Sequence, residues 1–188
     1  MSGRFHRLFI AVKMSPEVAQ SLDALIRQLA GAEAEVKWVK TKNLHLTLKF
    51  LGDVDESEIP SLITGLQIVK CEKFTIEVGS IGFLPNVRHP RVLYTDVIKG
   101  AEKLEKLASL VEKATVLLGF EPESRKFLAH LTLGRFKGMK RLNKLLEKID
   151  CAKGLIFGKV SVEGIYLIKS ELRPEGPQYT ELASIPLQ

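Results

Sequence analysis

One short strand pattern occurs twice in this chain, and that repetition limits the possible folds more than any other feature. Asn43-Leu44-His45-Leu46-Thr47-Leu48 returns as Leu128-Ala129-His130-Leu131-Thr132-Leu133, an offset of 85 residues (130 − 45). Helical stripes repeat at almost the same distance. Val18, Leu22, Leu25, Ile26 and Leu29 mark an amphipathic helix over about 16–30, opened by Ser15-Pro16. The last four of them return 82 residues later as Leu104, Leu107, Ala108 and Val111, in a helix over about 101–118. Ile59, Leu62, Ile63 and Leu66 (about 56–69) return after 83 residues as Leu142, Leu145, Leu146 and Ile149 (about 139–149).

Strand-like runs fall between the stripes. Arg7–Lys13 and Val92–Ile98 precede the first helix of each half, and Leu44–Leu51 and Leu128–Phe136 precede the second. Further candidates are Val36–Val39, Phe74–Ile81, Lys159–Ile168 and Gln178–Ile185. The pattern predicts an α+β fold of two pseudo-twofold-related lobes, each an antiparallel sheet with two helices, around a central cleft. The approximate halves are 1–86 and 87–188, and no Gly/Ser-rich linker separates them, so they should form a single compact domain. A chain of 188 residues buries roughly 70% of its unfolded surface, enough for a core without staples.

Strand alternation puts His45 and Thr47 on one face and Leu46 and Leu48 on the other, and likewise His130 and Thr132 against Leu131 and Leu133. Lobes facing each other about a pseudo-twofold would line one cleft with two His-Thr pairs. With a pKa of about 6.5, imidazole holds both protonation forms near neutrality. One can take a proton from an attacking water while the other gives one to a leaving oxygen. The threonine hydroxyls can donate to non-bridging phosphate oxygens. A lone strand histidine is ordinarily a packing or surface residue; two in matching tetrads point to catalysis. No carboxylate or cysteine lies at ligand spacing, so no metal is expected.

The formal net charge is +6, from 28 Lys and Arg against 22 Asp and Glu, which favours polyanionic partners. Lys37, Lys40, Lys42 and Lys49 surround the first motif, and Arg125, Lys126, Arg135, Lys137, Lys140 and Arg141 the second. They suit an RNA backbone. Lys49 shares strand parity with His45 and should face the cleft; Arg135 does not share it with His130 and needs a bulge, for which Gly134 is suited. Phe9, Trp38 and Tyr94 are expected in the core. His6 and His89 have no partner motif. Cys71 and Cys151 match no metal or redox spacing and read as reduced thiols. Met1 to Val12 lacks a signal-peptide pattern, and no apolar run reaches the roughly 20 residues of a membrane span, so a cytoplasmic location is expected.

At these motifs the sequence resembles the 2H phosphoesterase superfamily, and within it the RNA 2′,3′-cyclic phosphodiesterase family, historically called 2′-5′ RNA ligase. The resemblance begins with Arg7-Leu8-Phe9-Ile10-Ala11 and runs from Trp38-Val39 through Asn43 to Gly52. It continues in Gly82-Phe83-Leu84-Pro85, Pro90-Arg91-Val92-Leu93 and Phe127 to Arg135, and ends with Ile168 to Leu172 and Gly176 to Leu182. Ala129 departs from it, since the family commonly has proline before the second histidine. The resemblance implies opening of an RNA-terminal 2′,3′-cyclic phosphate to a 2′-phosphate, without metal or cofactor. His45 would be the proton donor and His130 the acceptor, with Thr47, Thr132 and Arg135 binding the phosphate. The implied substrates are RNA 3′ ends such as tRNA halves, or nucleotides, handled by a monomer. Two alternatives stay open: 2′-5′ RNA joining as the physiological role, and a non-catalytic RNA- or nucleotide-binding module.

Overall fold

The computed structural model describes residues 4–188. In chain order the elements are β1 (Phe5–Lys13), α1 (Pro16–Ala30), β2 (Val36–Trp38), β3 (His45–Asp55), α2 (Ile59–Leu66) and β4 (Phe74–Leu84). Then follow β5 (Val92–Lys99), α3 (Ala101–Leu117), β6 (His130–Phe136), α4 (Leu142–Cys151), β7 (Ile156–Val162), β8 (Gly164–Arg173) and β9 (Gly176–Pro186). The strands form one antiparallel sheet in the order β7-β4-β5-β6-β3-β1-β8-β9, with β2 added alongside β6. The fold is α+β, as the repeated stripes predict.

Local chemistry explains the helix starts. Ser15 is extended, its Oγ accepts from the Val18 N–H at 3.3 Å, and Pro16 supplies a fixed φ where no amide donor is needed. The apolar stripe of α1 is buried throughout, as are Leu104, Leu107, Ala108 and Val111 of α3. These stripes and the leucine faces of β3 and β6 merge into one core. The predicted helix over 56–69 divides into a 3-10 turn at Glu56–Glu58, held by Asp55 accepting from the Ser57 N–H, and the shorter α2. The fourth helix begins at Leu142 rather than 139, because Arg141 takes a left-handed conformation at φ 58°. The expected strand Lys159–Ile168 is two strands: β7 pairs with β4 and β8 with β1, so the chain crosses the molecule at Glu163.

The topology interlocks the two halves of the chain. The orders β1-α1-β3-α2-β4 and β5-α3-β6-α4-β8 match element for element, ignoring the inserted β2 and β7. In space, however, β4 pairs with β5 and β8 pairs with β1. Each side of the sheet thus takes a strand from the other half of the sequence. Among the described residues, no helix is long and apolar enough to cross a membrane. Cys71 and Cys151 are free, Cys71 half-buried and Cys151 exposed.

Candidate active site

The strands β3 and β6 meet at a single antiparallel pairing, Leu46 opposite Leu131. Both leucines are fully buried and face the core. Extending that register by one residue either way sets His45 opposite Thr132 and Thr47 opposite His130. All four are half-buried and share the opposite face. Diagonal positions across an antiparallel pair lie about 7–8 Å apart at the backbone, which is the relation of His45 to His130. The repeated tetrad therefore becomes one quartet.

Each ring is held the same way. His45 Nδ1 lies 2.7 Å from the Asn43 carbonyl, and His130 Nδ1 lies 2.8 Å from the Leu128 carbonyl. A carbonyl oxygen only accepts, so Nδ1 carries a proton in both rings and Nε2 is the nitrogen left for chemistry. Phe9 and Tyr179 flank the His45 ring at centroid distances of 4.8 and 5.3 Å; Tyr94 meets His130 edge-on at 5.5 Å. Phe9 is core as predicted, but it also forms one wall of the His45 site. Tyr179 comes from β9, far away in sequence, and only the resemblance of its segment marked it.

Burial lowers the pKa of His45 from its usual value; the bond to Asn43 opposes this, and the charges of His130 and Arg135 add to the lowering. The unfolded chain therefore binds this proton more readily than the folded one. The associated stability is present above the unfolded pKa of about 6.5 and is lost as pH falls from there toward the depressed folded value. Melting temperatures taken from pH 7.5 to 5 should decline, and His45→Gln should decline less; parallel curves would contradict a buried, neutral His45.

Matching bulges decide what else reaches this face. Along β1 and β3, Ala11 pairs with Thr47 and Ile10 with Lys49, so Leu48 is the extra residue. Along β5 and β6, Tyr94 pairs with Thr132 and Leu93 with Gly134, so Leu133 is the extra residue. In each strand the insertion lies three residues past the histidine, and it reverses the alternation beyond that point. Arg135 is thereby returned to the histidine face, as its adjacent Gly134 predicts, and its charge acts on both His45 and Tyr179.

The same bulge overturns the reading of Lys49. It does not share a face with His45 but turns inward, where its Nζ donates to Glu112 Oε2 and to the Glu121 carbonyl, both at 2.8 Å. Its side chain is only 2% exposed. Of the other cations, Arg125 and Lys126 line a cleft of about 790 Å³ that also reaches Thr47 and His130. Lys37 lies across from Arg135, and Arg141 pairs with Glu33. Trp38 packs over Gly134. His6 faces Glu56 at 3.6 Å and His89 lies exposed in a loop, so neither joins the quartet. Among the described residues, no cluster of three or more His, Cys, Asp or Glu is placed to hold a metal ion.

Comparison with known proteins places the family and the fold. The family model described as LigT-like phosphoesterase matches residues 12–94 and 98–179, two stretches whose starts are 86 residues apart (98 − 12). A Methanothermobacter thermautotrophicus protein named RNA 2′,3′-cyclic phosphodiesterase is 34% identical over 178 residues, covering 94% of this chain and 96% of that protein. An Aquifex aeolicus protein of the same name is 39% identical over 177 residues, covering 92% and 90%. Among solved structures, Thermus thermophilus TT0787 superposes with a TM-score of 0.77 at 29% identity, covering 96% of this chain and 97% of that one. Apo LigT of E. coli shares the fold, with a TM-score of 0.79 at 22% identity over 100% and 99% of the two chains.

Proposed function

The chain belongs to the LigT-like phosphoesterase family, and from that premise we propose that it hydrolyses RNA-terminal 2′,3′-cyclic phosphate to a 2′-phosphomonoester by two-histidine acid–base catalysis without a metal. The observation that carries this reading is the pair of fixed tautomers. Both Nδ1 atoms are committed to backbone carbonyls, which leaves two Nε2 atoms on one face of a crossed strand pair, each opposite a threonine.

In this scheme water attacks phosphorus in line with the P–O3′ bond. His130 Nε2 takes a proton from the water as the P–O bond forms. The P–O3′ bond breaks on the far side, and the proton on His45 Nε2 passes to the 3′ oxygen. The products are a 2′-phosphomonoester and a 3′-hydroxyl, and the proton returns from His130 to His45 through solvent. Thr47 and Thr132 donate to the non-bridging oxygens, and Arg135 balances their charge. The donor assignment follows the resemblance. It requires the substrate's negative charge to offset the burial that keeps His45 neutral in the free protein, and that burial is the one observation favouring the reverse assignment.

A single chain carries every group named, so a monomer suffices. That the same family model matches twice in succession, over 12–94 and 98–179, supports an internal duplication as the origin of the halves 1–86 and 87–188. RNA ends such as tRNA halves, or free nucleotides, are the substrates this reading admits, met in the cytoplasm. An oligonucleotide ending in 2′,3′-cyclic phosphate, incubated with the protein in EDTA, tests the scheme. The expected product is the 2′-phosphate, at the same rate with and without chelator. A 3′-phosphate product, or activity abolished by EDTA, would overturn it.

A further inference from the structure

The quartet is symmetric, but the residues beside it are not. Lys13 lies directly opposite His45 in the register of β1 and β3, and Asp96 lies directly opposite His130 in that of β5 and β6. Directly opposite residues share a face, with Cβ atoms about 4.5–5.5 Å apart. Their neighbours Val12 and Thr95 are buried, so Lys13 and Asp96 stand on the histidine face. The duplication thus sets an ammonium beside one imidazole and a carboxylate beside the other. A polyanion leaving the quartet is drawn to the first flank and repelled from the second.

The Lys13 flank also holds a pocket of about 310 Å³. It is lined by His45, by the buried Leu44 and Ile168, and by the exposed Lys13, Lys42 and Glu181. The Lys13 ammonium sits over the Tyr166 ring at 4.4 Å and pairs with Glu181. Lys42 belongs to the 3-10 turn Thr41–Asn43, whose buried Asn43 donates through Nδ2 to the Pro177 carbonyl at 2.9 Å. That bond ties the turn to the start of β9. Two ammonium groups against one carboxylate leave the pocket with a net positive charge. Its volume is at the small end of the range for ligand sites, roughly 300–1,000 Å³, which suits a phosphate better than a further base.

We propose that this pocket binds the phosphate on the 5′ side of the terminal nucleotide, with Lys13 as its main ligand and Lys42 as its second. This rests on the cyclic-phosphate reading above. In that scheme the leaving O3′ lies at His45, so its ribose lies on the same flank and brings its 5′ substituent within reach of the pocket. The phosphate competes with the Glu181 carboxylate for the Lys13 ammonium. Lys13 therefore builds the site and Glu181 weakens it. The resulting specificity is for a nucleoside cyclic phosphate that carries a 5′-phosphate, as a free nucleotide or within RNA, over one ending in a 5′-hydroxyl.

Three cyclic-phosphate substrates test it: a nucleoside with a 5′-hydroxyl, the same nucleoside with a 5′-phosphate, and a dinucleotide ending in that nucleoside. The parent should favour the phosphate-bearing forms in kcat/KM by about 10-fold, the scale of one charge-assisted hydrogen bond. A preference for the mononucleotide alone assigns the pocket to free nucleotides, and a preference for both assigns it to RNA ends as well. Lys13→Met should lose most of the preference through KM, Lys13→Arg should keep it, and Glu181→Gln should widen it. Changes of the same sign in Lys13→Met and Glu181→Gln would mark the ion pair as structural only and overturn the pocket. So would equal kcat/KM for the three substrates in the parent, or the parent's preference in Lys13→Met. Calorimetric binding of a nucleoside 2′,5′-bisphosphate against the 2′-monophosphate reads the same contact without turnover. If the parent prefers the bisphosphate through Lys13 yet opens no cyclic phosphate, the pocket stands and the cyclic-phosphate reading fails.

Discussion

Replacing His45 or His130 with alanine should each lower turnover of a cyclic-phosphate end by at least about 100-fold, the usual scale for losing a general acid or base. Each imidazole presents one free Nε2, and no nearby side chain in the quartet can replace it: the threonines lack a pKa in range, and Arg135 does not release its proton. The two act within one transition state, so the double variant should cost far less than the product of the single losses. Stability is the control. His45 packs between Phe9 and Tyr179, so His45→Gln, which keeps more bulk than alanine, separates lost chemistry from lost packing. Steady-state kcat and thermal melting of each variant check this. A loss below 10-fold in either single variant would remove that histidine from the chemistry.

Lys49→Met should be the most damaging substitution away from the histidines. The Lys49 ammonium is buried and satisfied by Glu112 Oε2 and the Glu121 carbonyl, while Glu112 Oε1 accepts from the Glu123 N–H at 2.9 Å. One carboxylate and one ammonium thus fasten the loop leading to His130 onto the strand carrying His45. Removing one partner of a buried pair costs about 3–5 kcal/mol, because the other charge is left unpaired. Glu112 is 29% exposed, so water screens part of this and the lower end applies. At about 2–4 °C per kcal/mol for a domain of this size, melting should fall by roughly 6–12 °C. Adding Glu112→Gln should recover part of the loss, because the stranded charge is removed as well. A melting point unchanged within about 1 °C would show that the pair does not hold the loop.

Lys49 also marks where sequence reasoning stops. Helix stripes, strand-like runs and the paired tetrads were legible because each depends on a local period. Which residues beyond the tetrads share the histidine face depends on register against β1 and β5, which a local period does not contain. Gly134 signalled the bulge in β6. Its counterpart in β3 is Lys49 itself, which carries no such signal, so simple alternation put Lys49 on the histidine face. The exchange of β4 and β8 between halves, and the arrival of Tyr179 at His45, are set by long-range pairing. Neither leaves a local trace in the sequence.

The division of labour between the two imidazoles can be tested with a substrate whose 3′ leaving atom is sulfur, a 2′,3′-cyclic phosphorothiolate end. A thiol with a pKa of about 8.5 leaves without protonation, so a general acid becomes dispensable while the base does not. His45→Ala should recover most of its lost rate on this substrate, and His130→Ala should remain about 100-fold impaired. Rescue of His130→Ala instead, or of neither variant, would contradict His45 as the proton donor in the cleft.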